Sequence, residues 1–391
     1  MKHKSLFALI GLVIVALLAP SVGEAAKAKA KKKPAQITVM SRNLYLGADL
    51  GPAIDATSTC EAIDAGGEIL NQVDRTNFPE RAKLLAAEIK KSKADLVGLQ
   101  EVALWRFSET PDFTATPATT VRYDFLQSLE DELDAIGARY SVAVVQEEFD
   151  QELPADRDGS DATDEFICGA DEDGRLTMRD VILVRDGGKV KVSNPKSGNF
   201  TNRYSVILGG VVPVDVDRGW VSVDAKVKAG KRTKGAKLHF VNAHLEAFGD
   251  PKIREAQARE LFAPGGPLQT KRQLIFVGDI NSGGPLDNIG APNPGDPDDP
   301  LAYNALTADF GLINLGTRQT CCYPDPDLSS ATIGGYRLDH TVDHVMVKPK
   351  VKQTDSYVTG DDPSVTTPGG LVSSDHGGVV STLKLKKAKK K

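Results

Sequence analysis

Residues 273–281 read Gln-Leu-Ile-Phe-Val-Gly-Asp-Ile-Asn. A short apolar run, 273–277, has the pattern of a buried strand and ends abruptly in Gly278-Asp279-Ile280-Asn281. A carboxylate at the end of a strand, among apolar neighbours, is costly unless it is paired, hydrogen-bonded or bound to a metal. The same signature recurs along the chain. Asn43 follows the β-type run 36–40 in Ser41-Arg42-Asn43-Leu44, and Glu101 closes the run 95–99 in Val97-Gly98-Leu99-Gln100-Glu101. His244 closes Phe240-Val241-Asn242-Ala243-His244, and Asp343 opens the run ending at Val347. Asp375 and His376 stand just before the apolar run 379–383. Polar residues placed this way at so many strand ends predict one shared cleft at one edge of the sheet structure.

Around these strands, helical spacing of apolar residues predicts helices at 80–91, 123–136, 253–262 and 301–310. Further strands are predicted at 140–145, 181–184, 206–214, 221–227 and 238–241. The stretches 150–173 and 282–300, rich in acidic residues, glycine and proline, read as long loops. Many β-runs with few helices imply an α/β fold with two sheets packed face to face and helices outside. No linker or repeat divides the chain, so the expectation is one domain over 36–383, between a basic linker at 27–35 and a basic tail at 384–391.

Asp, Glu and Asn supply hard oxygen ligands suited to Mg²⁺, with Mn²⁺ or Ca²⁺ as alternatives. Histidine adds acid–base capacity near neutral pH. A divalent ion neutralises the charge of a phosphate diester, and a His–Asp pair orients and activates water. The ordered series Asn43, Gln100-Glu101, Asn242-x-His244, Gly278-Asp279-x-Asn281, Asp343 and Ser374-Asp375-His376 resembles the endonuclease/exonuclease/phosphatase superfamily, including pancreatic-type deoxyribonuclease and bacterial sphingomyelinase. Each short motif is weak alone; their joint order, spanning residues 37–380, is specific. The resemblance implies a four-layer sandwich with two central, mostly antiparallel sheets flanked by helices. It implies Glu101, Asn43 and Asp375 as metal ligands, and Asp279 with Asn281 as the pair that positions the nucleophile and binds a phosphate oxygen. It implies His376 with Asp343 as an acid–base dyad, and His244 as a second histidine at the phosphorus. Asp339, in Arg337-Leu338-Asp339, is the alternative dyad acid. Arg179 stands at a place where the family varies and either contacts phosphate or opens a strand. The remaining histidines of the domain, His239, His340 and His344, read as structural or surface residues.

The N-terminus carries a basic start, an apolar run over 6–18 and small residues to Ala26. That order predicts a signal peptide over 1–26 and a secreted product, with an uncleaved anchor as the bland alternative. The whole chain carries 48 basic and 53 acidic residues. Setting aside the leader and the 11 lysines of the two tails leaves 35 basic against 52 acidic, a core charge near −17. Such a core does not draw polyanions by its field. The lysine tails offer contact with an anionic surface, or are simply solvated. Cys60, Cys168, Cys321 and Cys322 allow three disulfide pairings, and none follows from the sequence. The expected activity is a metal-dependent phosphodiesterase, a nuclease first. A phospholipase C or sphingomyelinase acting on a phospholipid headgroup comes second and a phosphomonoesterase third, with no protein partner expected. A catalytically silent binding protein on the same fold would have lost Glu101, Asp279 or His376, and all three are present.

Overall fold

The computed structural model describes residues 34–112, 117–159, 168–229, 235–284, 300–316 and 318–386. The expected signal segment, most of the basic linker, the loop segment 285–299 and tail residues 387–391 lie outside them.

The chain begins with strand β1 (Gln36–Asn43), followed by helices α1 (Gly51–Asp55), α2 (Thr59–Arg75) and α3 (Phe78–Ser92). Strands β2 (Leu96–Gln100), β3 (Leu104–Ser108) and β4 (Thr120–Asp124) lead into α4 (Phe125–Ala135). Two long strands, β5 (Tyr140–Ala155) and β6 (Glu172–Arg185), precede β7 (Val190–Asn199). A hairpin, β8 (Tyr204–Leu208) and β9 (Val212–Val216), comes before β10 (Gly219–Val227) and β11 (Ala236–His244). Then follow α5 (Pro251–Phe262), β12 (Gln273–Asp279), α6 (Leu301–Asn304) and the short β13 (Ile313–Asn314). The last elements are α7 (Ser330–Ile333), β14 (Asp343–Lys348), β15 (Lys352–Thr359) and β16 (Gly378–Lys384).

One sheet runs β15-β16-β1-β2-β6-β3-β4, with β5 also on β6; the other runs β13-β14-β12-β11-β10-β7. Each sheet holds one parallel pair, β1–β2 and β11–β12, and every other pairing is antiparallel. Three apolar layers separate four layers of structure. Ile37, Val39, Leu96 and Ile182 of the first sheet meet Val223, Phe240, Ile275 and Val345 of the second. Leu85, Ile89, Phe125 and Leu129 of α3 and α4 cover the outer face of the first sheet. Ala258 and Leu261 of α5 cover Val241 and Phe276 of the second. The fold is the expected four-layer α/β sandwich.

Register brings the predicted strand ends to one edge. Asn43 pairs opposite Gln100, His244 opposite Asp279, and Asp279 opposite Asp343. The two sheets touch closely at that edge. The Asn242 amide of β11 donates to Leu99 O of β2 at 2.9 Å, and Gln100 Nε2 donates back to Asn242 Oδ1 at 2.5 Å. Gly98 permits this approach, since a Cβ there would lie 2.6 Å from both Asn242 Oδ1 and Val277 Cγ2.

Several sequence expectations need correction. The acidic stretch 150–173 is partly strand: Asp150 lies in β5 and Glu172 begins β6. Its charges are paired, Arg175 with Asp150 at 2.5 Å and Arg122 with Glu172 at 2.9 Å, which lets acidic residues sit in a sheet. The run 206–214 is not one strand. Gly209 and Gly210, both at positive φ, turn it into the β8–β9 hairpin. Helix α4 starts at Phe125 rather than Tyr123, because Asp124 caps it by accepting from Leu126 N and Gln127 N.

Gly98→Ala forces Asn242 and Val277 apart. It is expected to cost about 1–3 kcal/mol, as overpacked core sites do. A urea midpoint equal to that of the wild type would contradict the close sheet contact.

Candidate active site

Seven polar side chains from both sheets converge at the common edge. The Asn43 amide nitrogen donates to Glu101 Oε1 at 2.9 Å and to Asp279 Oδ2 at 3.0 Å, so it ties a carboxylate of one sheet to a carboxylate of the other. Glu101 sits at φ 55°, in the left-handed region, and its second oxygen accepts from Leu46 N at 2.7 Å. Asp279 Oδ1 accepts from Asn281 N at 2.9 Å. His376 Nδ1 donates to Asp343 Oδ2 at 2.9 Å and lies 3.7 Å from Asp279 Oδ2. Its other ring nitrogen lies 4.0 Å from Asp375 Oδ1. His244 Nε2 approaches Asp279 Oδ2 at 3.8 Å and Glu101 Oε1 at 4.0 Å.

The structure settles some alternatives and corrects others. Asp343 touches His376, whereas Asp339 pairs with His340 at 2.5 Å and with Tyr336. Arg179, expected at the phosphate, is buried away from the cleft. Its guanidinium donates to Val102 O at 2.8 Å, Ala103 O at 3.1 Å and Asp124 Oδ1 at 2.6 Å, leaving it no reach to a substrate. Asn43 was expected as a metal ligand, but its oxygen accepts from Tyr45 N at 2.8 Å and its NH₂ faces the carboxylates. An NH₂ group cannot ligate a cation, so Asn43 orients Glu101 and Asp279 instead. His239 pairs with Asp224 and His344 with Ser282 O, both outside the cluster.

The two histidines are pushed in opposite directions. Burial lowers the basicity of His376, but the charges of Asp343, Asp375 and Asp279 outweigh it and hold the ring well above its ordinary value. His244 is held well below it, by burial and then by the Arg218 guanidinium. Arg218 Nη1 lies 3.1 Å from His244 Nδ1. The Asn281 amide nitrogen lies 3.3 Å from the other ring nitrogen, Nε2, which faces the cleft. Sequence reading missed Arg218, which precedes β10 with no motif around it. It also missed Arg42 and Arg81, which brace the loop before β16. Arg81 donates to four backbone oxygens, including Leu44 O at 2.8 Å and Ser373 O at 3.0 Å; Arg42 donates to Ser373 Oγ at 2.8 Å and to His376 O.

The cleft holds more negative charge than its own cations balance. Burial and the Asp343 charge push Asp279 up to about 7. Burial raises Asp375 to about 6, with the Glu101 charge adding to it and His376 opposing it. Asp343 Oδ1 has no hydrogen-bond partner among the described residues. Asp279, Asp343 and His376 present ligand atoms within 4.8 Å of one another. Glu101 and Asp375, hard oxygens whose charges repel each other in the cleft, fit a divalent cation. Beside them lie Cys321 and Cys322, joined to each other, with sulfurs 3.7 and 3.8 Å from His376 Nε2; Cys60 pairs with Cys168.

In fold, the chain resembles solved structures described as endonuclease/exonuclease/phosphatase family proteins. One from Bacteroides vulgatus is 16% identical, with TM-score 0.49, and the match covers 90% of this chain and 99% of that one. One from Bacteroides thetaiotaomicron is 16% identical, with TM-score 0.48 and coverages of 90% and 98%. A mannosyl-6-phosphatase from Bacteroides thetaiotaomicron is 16% identical, with TM-score 0.47 and coverages of 89% and 99%. No protein-family model matches the chain, and no curated protein does.

Two outcomes follow from these electrostatics. Arg218→Met removes the charge that depresses His244, so the His244 pKa, followed by NMR, is expected to rise toward 6.5; an unmoved value would refute the assigned contact. Beneath Arg218, burial raises Glu148 from 4.5 to about 8. A folded-state value above the unfolded one means this group's contribution to stability is complete below about pH 4.5 and lost as pH rises through about 8. Glu148→Gln is therefore expected to shrink the fall in urea midpoint between those limits, and an identical pH profile would contradict the burial.

Proposed function

We propose that this protein is a phosphoester hydrolase of the endonuclease/exonuclease/phosphatase type that cleaves phosphodiesters by water attack. The observation that carries the reading is the Asn43 bridge, which holds Glu101 and Asp279 together within reach of His244 and the His376–Asp343 pair. Mg²⁺, or Mn²⁺ or Ca²⁺, held by Glu101 and Asp375, would neutralise phosphate charge and steady the leaving oxygen.

The chain's own groups divide the remaining work. Asp279, with proton affinity near neutrality, takes a proton from the attacking water, and Asn281 beside it holds a phosphate oxygen. The water oxygen bonds to phosphorus as the ester P–O bond breaks. His376, kept charged by Asp343, returns a proton to the leaving oxygen. His244, kept neutral by burial and the Arg218 charge, faces a second phosphate oxygen. Neither histidine can take the other's part while these neighbours stay in place.

The finer reading taken from the sequence is a nuclease. A lipid phosphodiesterase is the second reading, favoured by an apolar chamber adjoining the cleft. Secretion belongs to the proposal and rests on residues 1–26.

Plasmid DNA, RNA, sphingomyelin and a generic phosphodiester, each with Mg²⁺ or with chelator, separate the substrates. Turnover should vanish with chelator. Glu101→Ala and His376→Ala should each lose at least about 10²-fold in kcat while still folding, as circular dichroism would show. Full activity in either variant would remove that residue from the reaction.

A further inference from the structure

Beside the charged cleft lies a chamber of opposite character. It has a cavity volume of about 100 Å³, and its lining is almost wholly apolar. Ile54, Leu70, Trp105, Phe149, Leu176 and Met178 form its inner wall. The β8–β9 hairpin forms its outer wall through Val206, Leu208, Val214 and Val216. That hairpin pairs with neither large sheet. A two-stranded ribbon has little stability of its own and depends on what it packs against. Its inward residues Leu208, Val214 and Val216 are buried and line this space. Protein interiors are close-packed, with few spaces larger than a water molecule.

The chamber adjoins the site. Leu50, Arg218 and Phe248 line both the chamber and the cleft that contains Glu101 and Asp375. Trp105 is fixed in the wall by donating from Nε1 to Leu46 O at 2.8 Å, one residue from Tyr45 at the cleft floor. A molecule with its phosphate between His244 and Glu101 would meet Arg218 at the threshold and apolar side chains beyond. At its tip the hairpin exposes Ile207 and Val211, 60% and 62% accessible. The core charge near −17 opposes a polyanion but tolerates a single phosphate.

We propose that this chamber binds the aliphatic chain of the substrate, so that the preferred phosphodiester is an amphiphile of lipid type. The inference rests on the phosphodiesterase reading and narrows it. The chain would be held by burial alone, so selection depends on its length. Each methylene that enters is worth up to about fourfold in kcat/KM until the space is full.

The test uses methyl, butyl and octyl 4-nitrophenyl phosphodiesters with Mg²⁺, and the full chain. The wild type should turn over the octyl ester far faster than the methyl ester. Ile54→Phe and Val206→Phe, two half-buried wall positions that tolerate a larger side chain, should keep the methyl rate and lose the octyl advantage. A second readout needs no turnover. In a Trp220→Phe background, Trp105 is the only tryptophan, and octyl phosphate should shift its emission while methyl phosphate does not. Equal rates on all three esters with a silent Trp105 would overturn the chamber proposal and leave the phosphodiesterase standing. A kcat/KM on plasmid DNA above that on the octyl ester would overturn it too. A Trp105 response without cleavage of any ester would keep the chain site and sink the phosphodiesterase reading.

Discussion

Everything at the candidate site depends on how closely two sheets approach at one edge. Gln100 and Asn242 join side-chain amides across the gap, and Gly98 leaves the room for them. Polar groups between two apolar sheet faces are costly unless they satisfy one another, which makes this contact specific in register as well as distance. It sits one residue before Glu101 and two before His244. The strand ends on either side are therefore brought within a hydrogen bond of each other, and Asn43 needs only a single amide to reach a carboxylate of each sheet. Wider spacing at this edge would leave two half-sites, each with uncompensated charge.

The second organising influence is electrostatic. Identical imidazoles, buried to similar depth, are driven apart in proton affinity by what stands behind them. His376 has Asp343 at 2.9 Å; His244 has Arg218 at 3.1 Å. Arg218 is itself held by Glu246 at 3.5 Å, and Glu148 lies in the same buried group. The cost of burying those charges is offset locally, by opposite charges, rather than by solvent. Division of labour between the histidines is thus a property of residues outside the motifs.

That explains what the sequence disclosed and what it withheld. Asn43, Glu101, His244, Asp279, Asp343 and His376 were legible because each interrupts an apolar run at a strand end, a local pattern with a local cost. The sandwich was legible from the same alternation. Arg218, Arg42 and Arg81 were not, because their meaning lies in partners far along the chain: Arg81 reaches Ser373, 292 residues away. Arg179 misled for the converse reason, since its place before a strand says nothing of the Asp124 that captures it. Helix α2, strand β3 and the edge strands β4 and β15 escaped notice. The chamber left no sequence signal at all, because its walls come from several separate elements.

Strand β1 pairs along its length with β16, from Gln36 against Lys384 to Ser41 against Val379. The first strand of the domain therefore waits for the last. During synthesis, Asn43 and Glu101 leave the ribosome hundreds of residues before Asp375 and His376. The carboxylate cluster closes only when the final strand zips into the gap between β15 and β1. A nascent chain carries an unfinished cleft throughout its elongation, and a product truncated before β16 keeps an open sheet edge in place of a site.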